Sequence, residues 1–166
     1  MRQLLLLLLL LGMSGCGYKP SSHYAKKVLG ESVYATIEIF AQDPENAVII
    51  KDAVLQALVS RFRVSVTPQN QAQTTLDLKL GTLLFSPIEY DTNGYVIAQR
   101  AYVTLTIVRT SKHDNKSYSV QGSYDFSIQP NGLISETQRF NAIREASLRA
   151  IDLFITQLAV EGAIRS

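Results

Sequence analysis

Residues that commonly build reactive or metal-binding sites are scarce in this chain, which has one cysteine and two histidines among 166 residues. Because Cys16 is the only cysteine, no disulfide can form within the chain. His23 and His113 lie in polar segments with no second ligand or base at a useful spacing, so we interpret both as solvated loop residues. The sequence also lacks the GxSxG, HExxH, CxxC and phosphate-loop patterns. We therefore expect no catalytic residue, no cofactor and no metal site.

A concentration of charge of one sign is also missing. The 16 basic and 14 acidic residues leave a formal net charge of +2, and no segment forms a basic arm or tail. Proteins that bind nucleic acid gather lysine and arginine on one face or in one segment. We therefore predict no nucleic-acid partner.

The longest apolar run, a stretch of leucines over residues 4–11, is far shorter than the roughly 20 residues of a membrane-spanning helix. Arg2 precedes this run, as in a secretory signal peptide. The run leads to "MSGC", which resembles the bacterial lipobox, where cleavage occurs directly before a lipid-modified cysteine. We predict a lipoprotein signal peptide over residues 1–15 and lipidation of Cys16. An uncleaved anchor and plain secretion with an incidental cysteine are the alternatives.

Lipidation of Cys16 would hold the protein on a membrane surface. Each buried methylene contributes about 0.8 kcal/mol and one chain binds only marginally, so the three chains of a mature bacterial lipoprotein anchor it permanently. Gly17 follows the cysteine, and its resemblance to lipoprotein sorting signals implies the outer membrane. Residues 16–31 are polar and contain Pro20 and Gly30, so we predict a lipidated tether with little regular structure.

Two segments early in the remaining chain predict a strand followed by a helix. Apolar and polar residues alternate over residues 33–40, as in a strand with one face buried. The tripeptide Asp43–Pro44–Glu45 combines an N-cap side chain, a proline at the first helical position and a carboxylate at the positive end of the helix dipole. A short strand at "RVSV" follows the helix. The predicted apolar face of the helix contains Ala47, Ile50, Val54, Ala57 and Leu58.

Three longer strands are predicted next. Leucines alternate from Thr74 onwards and their phase slips after Leu80, which predicts one long strand that bulges at Gly81–Thr82 and ends at Pro87. Asn93–Gly94 predicts a tight turn. The next two strands alternate strictly, and their predicted inward residues are Ala101, Val103, Leu105 and Ile107, then Tyr118, Val120, Tyr124, Phe126 and Ile128.

The last predicted helix begins at a capping box formed by Ser135 and Gln138 and has one apolar side. Helices and strands that are each apolar on one side bury those sides against each other in two layers. We therefore predict an α+β two-layer sandwich with two helices on one face of a mainly antiparallel four- to five-stranded sheet. Residues 32–166 would form this single domain.

The other face of the predicted sheet is expected to be polar and low in charge. Its outward rows over residues 100–106 and 117–123 contain mostly hydroxyl side chains. Such a surface could dock inside another protein, although an ordinary solvated sheet face explains the pattern equally well. Surface cations could also meet phosphate groups, although isolated ones more commonly only keep a protein solvated. These cations are Arg100, Arg109, Lys112 and Lys116.

Taken together, several segments resemble the LptE family of lipopolysaccharide-assembly lipoproteins. They are the lipobox followed by "CGY", the strand "VYATIEIF", the "DPEN" helix start, three longer strands with an Asn-Gly turn, and the closing helix "SETQRFNAIREASLRAIDLFITQL". The resemblance implies a two-layer domain without enzymatic activity that plugs the LptD β-barrel, helps that barrel assemble and contacts lipopolysaccharide. It also implies a lipid-anchored protein on the periplasmic side of the outer membrane.

The resemblance identifies lipopolysaccharide-binding residues less directly. In the family, basic residues beside the Asn-Gly turn and at the start of the last helix have been linked to this ligand. The matching segments here, Thr92–Gly94 and Ser135–Thr137, contain no basic residue. The alternative function is an envelope lipoprotein that regulates a cell-wall synthase or serves a transporter as an auxiliary subunit. The candidate lipopolysaccharide-binding residues are Arg100, Lys112, Lys116 and Arg139.

Overall fold

A computed structural model describes residues 21–38, 44–62, 64–112, 114–129 and 133–164. The predicted signal peptide, Cys16, Asp43 with its predicted N-cap role, and His113 lie outside the described residues. One π-helical turn covers Leu58–Phe62, and a short 3-10 turn covers Gln69–Gln71. In chain order the elements are α1 (Ser21–Leu29), β1 (Ser32–Glu38), α2 (Pro44–Ala57), β2 (Ser65–Val66), β3 (Thr74–Tyr90), β4 (Val96–Ser111), β5 (Asn115–Ser127) and α3 (Glu136–Ile164).

The strands form one mixed, mainly antiparallel sheet. Their spatial order is β2-β1-β3-β4-β5. Strand β1 is parallel to β2 and β3, whereas β3, β4 and β5 pair antiparallel. The parallel pair β1 and β2 is joined through α2, since parallel strands need a long crossover connection. The α+β class and the two-layer arrangement predicted from the sequence are confirmed.

Strand β3 contains the predicted bulge. Leu80 pairs with Leu105 and Leu83 pairs with Val103, with a register shift between Leu80 and Leu83. The insertion returns Leu83 to the inward row, because residues paired across two strands share a face. The prediction that Pro87 ends the strand is wrong, since β3 continues to Tyr90. Among the described residues, β1 pairs with residues 74–79 of β3, so Pro87 lies in a part of β3 that is an edge there, where proline is tolerated.

The core lies between the inward face of the sheet and the helices. The predicted inward rows of β4 and β5 are buried or partly buried, and so are Ile50, Val54, Ala57 and Leu58 of α2 and the apolar side of α3. Phe140 is an exception, because this residue at the start of α3 is 47% exposed. The fully buried core side chains include Ile50, Leu58, Leu76, Leu105, Ile107, Ile143, Ile151, Phe154 and Leu158.

Helix α1 lies where the sequence predicts a tether with little regular structure, and that expectation is wrong for residues 21–29. Its apolar side chains Ala25, Val28 and Leu29 are buried and belong to the core cluster. The helix packs against α3 at Gly162, where a Cβ atom would overlap the carbonyl oxygen of Tyr24. A short polar segment becomes helical here because a distant part of the chain supplies its packing partner.

Two predicted local signals define the ends of elements. The hydroxyl of Ser135 accepts the main-chain N–H of Gln138 at 3.2 Å, and the Gln138 side chain accepts the main-chain N–H of Ser135 at 3.1 Å. This reciprocal capping box begins α3. In the β3–β4 turn, Gly94 has a φ of 85°, a conformation that glycine adopts without strain. Both predictions are confirmed.

Candidate functional site

The described residues contain neither a membrane-spanning helix nor a metal-ligand cluster. No helix among them combines the length and apolarity that a bilayer span requires. Nor do the described residues bring together three or more histidine, cysteine, aspartate or glutamate side chains that could hold a metal ion. The features described next are surfaces of the domain that could bind a partner or a ligand.

The helix-free face of the sheet is polar, as predicted. Hydroxyl and amide side chains dominate its central rows, and the Gln121 side chain donates to the Thr104 hydroxyl at 3.0 Å. Because opposite residues share a face, the register assigns outward residues of β3, β4 and β5 to one continuous surface. We call this surface the polar face, and its members include Lys79, Leu84, Arg100, Tyr102, Thr104, Thr106, Ser119, Gln121, Ser123 and Asp125.

Two cations of the polar face form ion pairs on that face. The Arg100 guanidinium donates to both carboxylate oxygens of Asp125, at 2.5 and 2.7 Å. Lys79 Nζ lies 3.2 Å from Glu38 Oε2. The hydrogen bonds between Arg100 and Asp125 raise the pKa of Arg100 and lower the pKa of Asp125 from their ordinary values. Arg100 and Lys79 therefore already have anionic partners, and the face also carries the exposed carboxylate of Asp77.

Lys116 and Arg109 belong to a different environment, a partly buried ionic cluster at the turn end of the β4–β5 hairpin. Arg109 is only 1% exposed, because it continues the inward row of β4. Its guanidinium donates to Glu161 at 2.9 Å and to Asp114 at 2.7 Å. Lys116 Nζ donates to the same Glu161 carboxylate at 2.9 Å. The interpretation of Arg109 as a surface cation is therefore wrong, and Lys116 is engaged within the protein.

Tyr118 completes this cluster, which we call the Glu161 cluster and which comprises Arg109, Asp114, Lys116, Tyr118 and Glu161. Tyr118 O–H donates to Glu161 at 2.6 Å and accepts from Arg109 Nε at 3.1 Å. Burial and the bond to Glu161 raise the pKa of Tyr118 to about 12. Burial opposes ionisation of Glu161, but the hydrogen bonds from Tyr118 and Lys116 and the charge of Arg109 outweigh it and lower the pKa of Glu161.

The four candidate lipopolysaccharide-binding residues are not brought together. Lys112 is exposed beside the β4–β5 hairpin turn. Lys116 lies near the same turn, because it pairs with Arg109 across the two strands. Arg100 lies nine positions before Arg109 on β4, which corresponds to about 30 Å along a strand. Arg139 lies at the Arg100 end, over the Phe85 ring at 5.3 Å.

Exposed apolar side chains gather at the same end as Arg100 and Arg139. Tyr90 is 58% exposed and Tyr95 is 52% exposed, and they flank the β3–β4 turn. The start of α3 lies at this end because the Gln138 side chain donates to the main-chain oxygen of Ser127. The sequence analysis did not identify this group, although Leu84, a leucine at an outward position of β3, was a visible signal. We call the exposed apolar residues of this end the apolar tip: Ile88, Tyr90 and Tyr95 near the turn, Leu84 on the outward face of β3, and Phe140 on α3 in the helix layer.

Solved structures with this fold include bacterial lipoproteins. Rare lipoprotein B from Shewanella oneidensis aligns with a TM-score of 0.50 and 12% identity, covering 81% of this chain and 97% of that one. A putative lipoprotein from Caulobacter crescentus aligns with a TM-score of 0.52 and 8% identity, covering 86% and 96%. At these identities the likeness establishes the fold, a two-layer α+β domain.

The family is established by the sequence itself. The chain matches the family model described as LptE, Lipopolysaccharide-assembly, over residues 34–158. This protein belongs to the LptE family, as its sequence resemblance predicts. No curated protein matches the chain in a direct sequence comparison.

Proposed function

We propose that this protein is an outer-membrane lipoprotein, anchored through Cys16 on the periplasmic side, that acts as plug and assembly partner of an LptD-type β-barrel in lipopolysaccharide transport. Membership of the LptE family supports the role in lipopolysaccharide assembly. The proposal assigns no catalytic role, no cofactor and no nucleic-acid partner to the protein.

The polar face is the observation that carries the proposed plug role. The interior of a large membrane β-barrel is polar and hydrated. A hydroxyl-rich surface matches such a lumen, and its ion pairs, Arg100 with Asp125 and Lys79 with Glu38, enter it already formed. Burying an unpaired charge would be strongly unfavourable. Docking avoids this cost for these two pairs, because each charge keeps its partner.

The apolar tip supports a contact with lipopolysaccharide at that end of the domain. Lipopolysaccharide carries phosphates and acyl chains, so a suitable surface combines cations with exposed apolar groups. Arg139 and Arg100 lie at the end of the domain that carries the apolar tip, whereas Lys116 and Lys112 lie about 30 Å away at the other end of β4. Of the four candidates, we therefore propose Arg139 and Arg100 as the ones that contact the ligand.

A variant of the polar face tests the plug role. We expect Tyr102→Asp to reduce the amount of β-barrel that copurifies with the tagged lipoprotein at least fivefold, because it places an unpaired carboxylate on the docking face. Val48→Asp is the matched control, since Val48 is 50% exposed on α2 in the helix layer. Both variants should retain the far-UV circular dichroism of the wild type. Equal loss of barrel in both variants, or in neither, would argue against docking through this face.

A further inference from the structure

Strand β5 is an edge of the sheet in the part of the chain that the structure describes. It is 13 residues long and pairs on one side with β4. Edge strands present unpaired main-chain N–H and C=O groups and are templates for another strand. Alternate residues of β5 direct their main-chain groups towards β4 or towards the free edge. Only the residues that face the free edge could pair with a further strand.

Hydrogen bonds at both ends of the hairpin fix this alternation. The Ile128 N–H donates to the Ile97 oxygen, and the Ser111 N–H donates to the Asp114 oxygen. Both bonds fit the uninterrupted β4–β5 register, so even-numbered residues of β5 direct their main-chain groups towards β4. The odd-numbered residues direct theirs towards the free edge.

Two side chains of α3 already occupy part of this edge. Arg149 donates to the main-chain oxygen of Ser123 at 2.8 Å, and Gln138 donates to that of Ser127 at 3.0 Å. Both acceptors are odd-numbered, as the alternation requires. These contacts block the half of the edge nearest the start of α3.

The other half of the edge is open. No hydrogen bond within the described residues engages the edge-facing main chain of Ser117, Ser119 or Gln121. Their side chains are exposed. A shallow cleft runs beside this half between β5 and α3, lined by Lys116, Ser117, Tyr118, Ser119, Thr156, Gln157 and Val160.

We propose that the open half of β5, residues 115–121, binds an extended polypeptide segment of the barrel partner as an added β-strand. Donors and acceptors that repeat every second residue, about 6.8 Å apart, match a polypeptide main chain. The cleft receives alternate side chains of the added strand, and Val160, 57% exposed, supplies an apolar contact there. This inference depends on the proposed function, because it names a segment of the same partner.

The size of the open edge favours such a segment over a second copy of this chain. Seven residues span about 23 Å, which is a short contact for a second free copy, since stable interfaces between free proteins bury roughly 1,000 Å² or more. A segment of a partner that is already bound benefits from a high effective concentration. Because strands of a closed barrel have no free edge, the segment belongs to a loop or terminal extension of the barrel protein.

Hydrogen–deuterium exchange with residue-level fragmentation tests this inference on the wild-type complex. We expect amide exchange at Ser117, Ser119 and Gln121 to slow at least tenfold in the complex relative to the isolated lipoprotein. Tyr118 and Val120 are internal controls, because their amides already bond to β4 and should change little. Unchanged exchange at the three odd positions in a complex that retains its barrel would overturn the inference and leave the proposed function intact.

A matched pair of variants provides a second readout. Ser119→Pro removes one edge-facing N–H, and proline is tolerated on an edge strand. We expect this variant to fold and to lose the exchange protection at Ser117 and Gln121, whereas Ser119→Ala keeps it. Equal protection in both variants would overturn the inference. So would protection that depends on the concentration of isolated lipoprotein, which would identify a second copy as the occupant. If no barrel copurifies with wild type, the proposed function fails together with the occupant named here.

Discussion

At the scale of single residues, Arg109 and Glu161 show how the hairpin end is fixed to the C-terminal part of α3. Arg109 is 1% exposed and Glu161 is 8% exposed, so each charge depends on the other. The alternation of β4 already indicates that residue 109 faces inwards, after Ile107. Its carboxylate partner was not predictable, because Glu161 is 52 residues away along the chain and only the packing of α3 brings it close.

We expect Glu161→Gln to lower the free energy of unfolding by about 3 kcal/mol, because it leaves the buried Arg109 with fewer anionic partners. Urea denaturation followed by circular dichroism measures this change. Asp125→Asn is the control, since it breaks an ion pair with Arg100 that is exposed to solvent and should change stability little. Similar losses in the two variants would contradict the role given to the Glu161 cluster.

Glu161→Gln should also change how stability depends on pH. The pKa of Glu161 is lower in the folded protein than its ordinary value of 4.5, so the unfolded chain binds the proton more tightly. The stability from this carboxylate is therefore fully present above pH 4.5 and is lost as the pH falls through the lower, folded pKa. We expect wild type to lose more stability than Glu161→Gln between neutral pH and that acidic range. Identical pH profiles would contradict the lowered pKa.

At the scale of elements, the packing of α1 on α3 depends on Gly162. Helix propensity alone predicts that Gly162→Ala stabilises α3 by about 1 kcal/mol. The structure predicts the opposite, because the new Cβ would overlap the carbonyl oxygen of Tyr24 and push α1 away. We expect faster amide exchange over Ser21–Leu29 and lower stability in Gly162→Ala. Ala163→Gly, at the exposed neighbouring position, should leave α1 exchange unchanged.

The sequence was sufficient to predict most strands and the two longer helices, because alternation and caps are local signals. The bulge after Leu80, the inward row of β4 and the capping box at Ser135 were all visible in this way. Helix α1 was not, since its few apolar residues become a buried face only against α3. Close approaches at single glycines, such as Gly122 beneath the main chain of Ala146, are likewise absent from any periodic pattern.

At the scale of the whole molecule, the domain has two different ends and one polar face. The apolar tip and Arg139 lie at one end, and α1 with the Glu161 cluster lies at the other. The sequence predicted the polar face, but it grouped Arg100, Lys112, Lys116 and Arg139 as one candidate site. Only the pairing of the strands and the position of α3 show that these residues lie at two ends of the domain. The structure separates these cations into two pairs.

We propose that this chain is lipid-anchored and works as a bound component of a lipopolysaccharide-transport barrel. Native mass spectrometry of the wild-type lipoprotein, extracted from outer membranes in mild detergent, tests it most directly. The expected result is a complex with a large β-barrel protein, in which the lipoprotein begins at an acylated Cys16. A chain without acyl groups, or one that appears alone or with a cell-wall synthase or transporter, would contradict the claim.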